Sequence, residues 1–138
     1  MSDPIMVRRV AAAQWTLDTF RRRKFKLGTA DCVRMTAGHL RKLGYKVKLP
    51  TAGSYSSAVT AMRRLQERGF ADLPQAIEAH GLVQIPPAAA IVGDVLQLEA
   101  DHPLGALAIA LGNGRVVGYH QDTAGAEVLQ PVTIERAW

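Results

Sequence analysis

The chain is expected to fold as an α+β domain, with N-terminal helices packed on a C-terminal antiparallel β-sheet meander. Three observations predict this. Up to residue 80, apolar residues recur at spacings of three and four, the period of a helix face. From residue 93 onward, short Val-, Ile- and Leu-rich runs are set off by Gly, Asn and Pro, the pattern of strands and turns. No linker, internal repeat or low-complexity stretch interrupts the 138 residues. They read as a single domain, 1–138, with a helical part over 4–80 and a sheet part over 93–136.

The first helix is expected over residues 4–24, with Met6, Val10, Ala13, Leu17 and Phe20 as its buried stripe. Trp15 falls off that stripe and reads as filling a second contact rather than marking a partner surface. The second helix starts at Asp31-Cys32, buries Val33, Ala37, Leu40 and Leu43, and stops at Gly44 as a C′ residue. Tyr45 to Pro50 reads as a short extended piece and Thr51 to Ser54 as a loop. A third helix is expected from Tyr55 to Arg68, with Ala58, Met62 and Leu65 inward, and a short fourth from Leu73 to Ala79. In the sheet part, Val95–Leu98 and the apolar run Leu104–Leu111 read as strands, the latter buried on both faces. Gly112-Asn113-Gly114 is a tight turn, and Arg115–Tyr119 is its hairpin partner. Glu127–Gln130 and Val132–Glu135 are two more short strands, kept from pairing with each other by Pro131.

Composition bounds the function. Hydrophobic residues make up 48% and charged residues 21%, as in ordinary globular proteins. The single cysteine excludes an internal disulfide framework and any CxxC metal site. Four histidines in four segments, with no close pair, give no metal site, and no cofactor motif is present. The start has no apolar signal core, and no run reaches the roughly 18 residues of a membrane span, so a soluble protein made in the cytoplasm is expected. The net charge of +5 suits an acidic partner. The basic residues fall in short clusters, Arg8-Arg9, Arg21 to Lys24 and Arg41-Lys42, which read as solvated helix faces. No aromatic residues are interleaved to stack bases, and a nucleic-acid partner is not expected.

Cys32 is the candidate nucleophile. It sits in the first turn of its helix, where unpaired N–H groups and the positive end of the dipole stabilise a thiolate. The competing reading is a small hydrophobe that packs the helix.

The surrounding residues resemble the NlpC-type cell-wall peptidases, which are papain-like cysteine enzymes. Phe25-Lys26-Leu27-Gly28 with Asp31-Cys32 resembles the family's approach to the nucleophile. Gly44 with Leu49-Pro50 resembles the stretch after its cysteine helix. Gly93-Asp94-Val95 is similar to the opening of its sheet, and Ile109 to Gly114 to the turn after its histidine strand. The Arg21-to-Phe25 run before the cysteine loop and the terminal Arg136-Ala137-Trp138 resemble a small branch encoded in phages, prophages and gene-transfer agents. The resemblance implies a papain-like NlpC-type fold and a place in the tail tip of a siphophage-like virion. The implied partners are the hub, distal tail protein and central fibre, with peptidoglycan as the substrate of any activity.

One departure is decisive. In the family a histidine six residues before the glycine of Leu-Gly takes the proton of the thiol. Counting back from Gly112 gives Ala106, and the residue that orients the histidine falls on Gly118. His39 lies about 10 Å along the helix from Cys32. His102 precedes Ala106 by about 13 Å of strand, and His120 lies about 6–7 Å beyond Gly118. His120 is the candidate base, with His102 behind it, and His80 reads as a cation at a helix end. The resemblance with this departure implies a degenerate, catalytically inactive peptidase fold that serves as a structural part of a tail tip. The alternative is an active cysteine endopeptidase or amidase that opens peptidoglycan during DNA injection. The small residues Ala106, Ala108, Ala110 and Gly118 imply a groove closed by tight packing where the base would stand.

Overall fold

The computed structural model describes residues 4–49, 53–100, 105–119 and 125–138. Among these the fold is α+β. Four helices, α1 (Ile5–Phe20), α2 (Cys32–Lys42), α3 (Ala58–Glu67) and α4 (Leu73–Glu78), and a 3₁₀ turn (Pro87–Ala89) precede five strands. These are β1 (Val95–Leu98), β2 (Ala106–Gly112), β3 (Arg115–Gly118), β4 (Glu127–Leu129) and β5 (Ile134–Ala137), in the sheet order β4-β3-β2-β1-β5 with all pairs antiparallel.

The meander expected from the sequence holds for β1 to β4. β5 instead returns to the opposite edge, where Leu96 faces Ala137 and Gln97 faces Arg136. Trp138 continues this pairing by exchanging backbone hydrogen bonds with Val95, and its ring is buried in the core. The hairpin turn after β2 holds Asn113 and Gly114 at positive φ, 56° and 75°, as its sequence predicts.

Helix boundaries follow their caps. α1 ends at Phe20, short of Lys24, so the Arg21-to-Lys24 run lies beyond the helix. α3 begins at Ala58 rather than Tyr55 because Ser57 caps it: its hydroxyl accepts from the Thr60 N–H while the Thr60 hydroxyl accepts from the Ser57 N–H. α2 ends as read: Gly44 at φ 103°, with Tyr45 N–H on the Leu40 carbonyl and Gly44 N–H on that of Arg41. Of the piece after it, the described residues 45–49 form no strand, and Pro50 lies outside the described residues; Arg41 holds the Val47 carbonyl from both Nε and Nη2.

The stripe read for α1 is corrected. Its buried residues are Ala12, Ala13, Thr16 and Phe20, while Ile5, Met6, Val7 and Val10 are exposed. Trp15 fills a second contact as expected, lying against Gly38 of α2 and the Phe20 ring.

The three central strands, β1 to β3, are buried on both faces. Leu107, Ile109 and Val117 join Phe20, Met35 and Leu40 beneath the helices. Leu96, Ala108, Ala110, Val116 and Ala137 form a second cluster on the other face, covered by Ile85 and Ala90 of the segment before β1. Small side chains on that second face let a single strand of irregular chain lie close to it.

Candidate functional site

The loop before α2 is shaped by one backbone approach. Lys26 and Ala30 pair across a tight turn, and Gly28 sits at φ 90°. A Cβ on Gly28 would stand 2.3 Å from the Tyr55 carbonyl oxygen, so only glycine fits. The turn delivers Asp31 to the helix start, where its Oδ1 accepts from the Arg34 N–H at 2.8 Å. Its Oδ2 accepts from the Gly28 N–H and from the Tyr55 hydroxyl, both at 2.8 Å. This carboxylate is 1% exposed, and each of its bonds is charge-assisted. It is a structural hub joining the loop, α2 and the start of the α3 segment.

Cys32 follows it and is partly exposed. It lies on the wall of a cavity of about 230 Å³ that Phe25, Leu27, Tyr55, Ala58, Gly105 and Tyr119 also line. Burial pushes the thiol up to about 11; the backbone of Leu107 partly offsets this, and the charge of Asp31 adds to the rise. The backbone of Cys32 and Val33 at the helix start favours the thiolate, as expected, but burial outweighs it. The Asp31 carboxylate takes the Arg34 N–H, and its charge repels a thiolate. The Tyr55 and Tyr119 hydroxyls are raised as well, first by burial, Tyr119 to about 12. Tyr119 is held by the carbonyls of Arg23 at 3.0 Å and Phe20 at 3.3 Å, and its ring packs on Phe20 and Phe25.

The expected closure of the groove is also corrected. Ala108 belongs to the cluster on the far face of the sheet, and a Cβ on Gly118 would meet Ala108 and Leu129 there, each at 3.5 Å. A side chain at Gly118 would point away from Cys32, and the small residues do not fill the space beside it. Ala106 lines the cavity at the start of β2.

The histidines divide. His39 is wholly buried at the far end of α2, with Nε2 2.8 Å from the Gly93 carbonyl and Nδ1 2.9 Å from the Thr16 hydroxyl. A carbonyl only accepts, so Nε2 carries a proton. Burial lowers the ring's pKa, and Nδ1 lies beside the Thr16 hydroxyl, which donates to the Ala12 carbonyl at 2.8 Å. His80 donates from Nδ1 to the Ala76 carbonyl at 2.7 Å at the end of α4. His102 and His120 lie outside the described residues. Among the described residues no histidine lines the Cys32 cavity, and no group of three or more His, Cys, Asp or Glu gathers as a metal site.

The Gly93-Asp94 motif has a structural task. Gly93 turns at φ 89° under Arg9, whose Cβ would lie 3.1 Å from any Cβ there. Arg9 binds the Val92 carbonyl through Nε at 2.8 Å and pairs with Asp94, which also caps the Ile91 N–H. Arg9 and His39 thus clamp the entry to the sheet from two helices.

A family described as a domain of unknown function, DUF6950, matches residues 7–138. The chain belongs to this family. No curated protein matches it. The DUF6950 match spans the clamp, the Asp31 hub, the Cys32 cavity and the closing strand β5 alike. Sequence reasoning missed the buried roles of Asp31, Tyr55 and Tyr119. The one local signal was an aspartate at a helix N-cap, which announces a cap but not a second set of partners.

Proposed function

We propose that this DUF6950 protein is a non-catalytic structural component of a phage tail tip, built on the frame of a papain-like cysteine peptidase. The carrying observation is the state of Cys32: its thiol is pushed up to about 11, beside a buried carboxylate. A sulfur so placed is protonated at neutral pH and makes a poor nucleophile. The frame and the tail-tip setting rest on the likeness of the Phe25-to-Cys32 approach, the Gly93-Asp94 turn, the Arg21-to-Phe25 run and the terminal Arg136-Ala137-Trp138. No helix is long and apolar enough to cross a membrane among the described residues.

The test is the rate of Cys32 alkylation by iodoacetamide against pH, on the folded protein. The expected midpoint is near 11. Fast reaction at neutral pH would overturn the proposal. In particles, Cys32→Ala is expected to leave assembly and infectivity intact, whereas deleting the whole chain prevents a functional tail.

One observation favours a second reading, a working peptidoglycan endopeptidase or amidase. The cavity beside Cys32 is open, and two of its lining residues, Gly105 and Tyr119, are close in the chain to His102 and His120. This reading requires release of stem peptides from purified cell wall and its loss in His120→Ala.

A further inference from the structure

The first two turns of α1 stand clear of the core. Ile5, Met6, Val7 and Val10 are 45–61% exposed, and the helix buries no residue before Ala12. Val10 lies four residues from Met6 and three from Val7, so the three form one apolar ridge along the helix.

A groove runs beside the ridge. Two cavities of about 190 and 150 Å³ share Arg9, Leu43 and Tyr45 in their walls and therefore adjoin. Ile5 lines the first, and Leu82 and Val83 line the second. Each has room for one aliphatic side chain, since an apolar cavity of about 150 Å³ in another protein takes up benzene.

Apolar exposure is gathered on this face. Ten large hydrophobic residues are exposed among the described residues, and seven of them lie here: the four of α1, Tyr45, Val83, and Ile91 beside the Val92 carbonyl that Arg9 binds. Their exposed parts amount to roughly 600–700 Å². The largest apolar patch on a typical monomer is about 300–600 Å², and each partner in a standard interface contributes about 800 Å². The charges of α1 set among them are engaged within the chain: Arg8 donates to the Leu43 carbonyl at 3.2 Å, and Arg9 pairs with Asp94. The cations from Arg21 to Lys24 follow the other end of α1, about 20 Å along the helix.

This face offers apolar area, with a ridge and a groove side by side. Two-fold pairing needs that combination, because one patch must supply both halves of the contact. We propose that the face joins two copies of the chain in a two-fold dimer, with the α1 ridge of each copy seated in the groove of the other. Val10 of each copy then lies against Val83 of the other. The face sits at the opposite end of α2 from Cys32 and rests on no reading of the sulfur.

The test is sedimentation equilibrium of the full chain from about 1 μM to 1 mM, where a dimer with a dissociation constant of about 1–100 μM is expected. Val10→Glu and Val83→Lys are each expected to raise that constant roughly a hundredfold, because each change enters the interface twice. Both positions are exposed, and Glu suits a helix surface at least as well as Val, so the monomer stays folded. Val59→Glu alters an exposed valine on α3 and leaves the constant unchanged. An equimolar mixture of Val10→Glu and Val83→Lys regains one native ridge-to-groove contact and sets Glu against Lys in the other, so dimers return. A chain that stays monomeric at about 1 mM leaves the face to a different protein and overturns the proposal. So does an equal effect of Val59→Glu, or a mixture that shows no recovery. None of these readouts involves Cys32, so failure here leaves the structural reading of the sulfur untouched.

Discussion

At its first turn, α2 sets Asp31 and Cys32 against an open cavity; at His39, the same helix is sealed against α1 and the entry to the sheet. Both ends bury a titratable group. At the His39 end every polar atom of the ring has a partner, and the partners come from two other elements. At the Cys32 end the carboxylate is fully served while the sulfur beside it faces an apolar wall. The difference separates fold from chemistry: one end is closed by matched hydrogen bonds, and the other leaves space next to a thiol whose pKa burial raises.

The largest expected effect tests the closed end. His39→Ala removes a wholly buried ring and leaves the Gly93 carbonyl and the Thr16 hydroxyl without it. Chemical denaturation is expected to show a loss of about 3–4 kcal/mol. A loss below about 1 kcal/mol would mean that Arg9 alone holds the Gly93-Asp94 turn, and the contrast between the two ends would fail.

Asp31→Asn comes next and sharpens the open end. The amide presents an NH₂ toward donors, so two of three charge-assisted bonds weaken, at an expected cost of about 2–3 kcal/mol. The charge that opposes ionisation of Cys32 disappears as well. The alkylation midpoint of Cys32 is therefore expected to fall below that of the parent protein while staying above the ordinary thiol range, since burial is the larger cause. An unchanged midpoint would show that the carboxylate does not govern the thiol.

Much of this contrast was legible in the sequence, and the illegible part has a common cause. Caps and turns are local, so Gly44, Asp31 at the N-cap, the strand β1 and the Asn113-Gly114 turn could be read from neighbouring residues. The buried stripe of α1 was misread because Met6 and Val10 are apolar at helical spacing. Periodicity does not reveal how far the packing partners extend, and they do not cover the first two turns. Pro131 shows that β4 and β5 do not pair, but the pairing of β5 with β1 is a contact across the chain that no short window contains. The motif at Gly93-Asp94 was visible, but its reason, Arg9, lies 84 and 85 positions away in the chain, respectively. The side on which Ala108 and Gly118 point depends on strand parity relative to α2, which only the assembled sheet sets.

A pH titration of stability gives a smaller effect with a definite sign. Burial lowers the pKa of His39 in the folded state. The unfolded chain then binds a proton that the folded chain refuses. The stability contributed by neutral His39 is whole above the ordinary histidine value of about 6.5 and is lost as pH falls below it toward the folded pKa. The slope in that window approaches about 1.4 kcal/mol per pH unit. His39→Gln is expected to lack this slope, and the difference between the two profiles removes the contribution of the other histidines. Burial is the largest cause; the Arg9 charge adds to it, while the Gly93 and Ala12 backbone and the Asp94 charge oppose it. A difference profile that is flat below pH 6.5 would sink this assignment of the neutral ring.

Cys32→Ala carries the smallest effect and bears most directly on the open end. The residue is partly exposed, so removing its sulfur is expected to cost roughly 1 kcal/mol or less. Two deviations are informative. A loss several times larger would make the sulfur part of the core, and the two ends of α2 would then differ in partners but not in purpose. A gain in stability would point the other way. Sites shaped for reaction commonly hold groups that the fold alone disfavours, and replacing such a group stabilises the protein. The cavity walls are apolar and Asp31 stays matched in this variant, so a gain has no source except a sulfur held against the interest of the fold. Only that result, together with alkylation that is fast near neutral pH, would make the open end of α2 an active site.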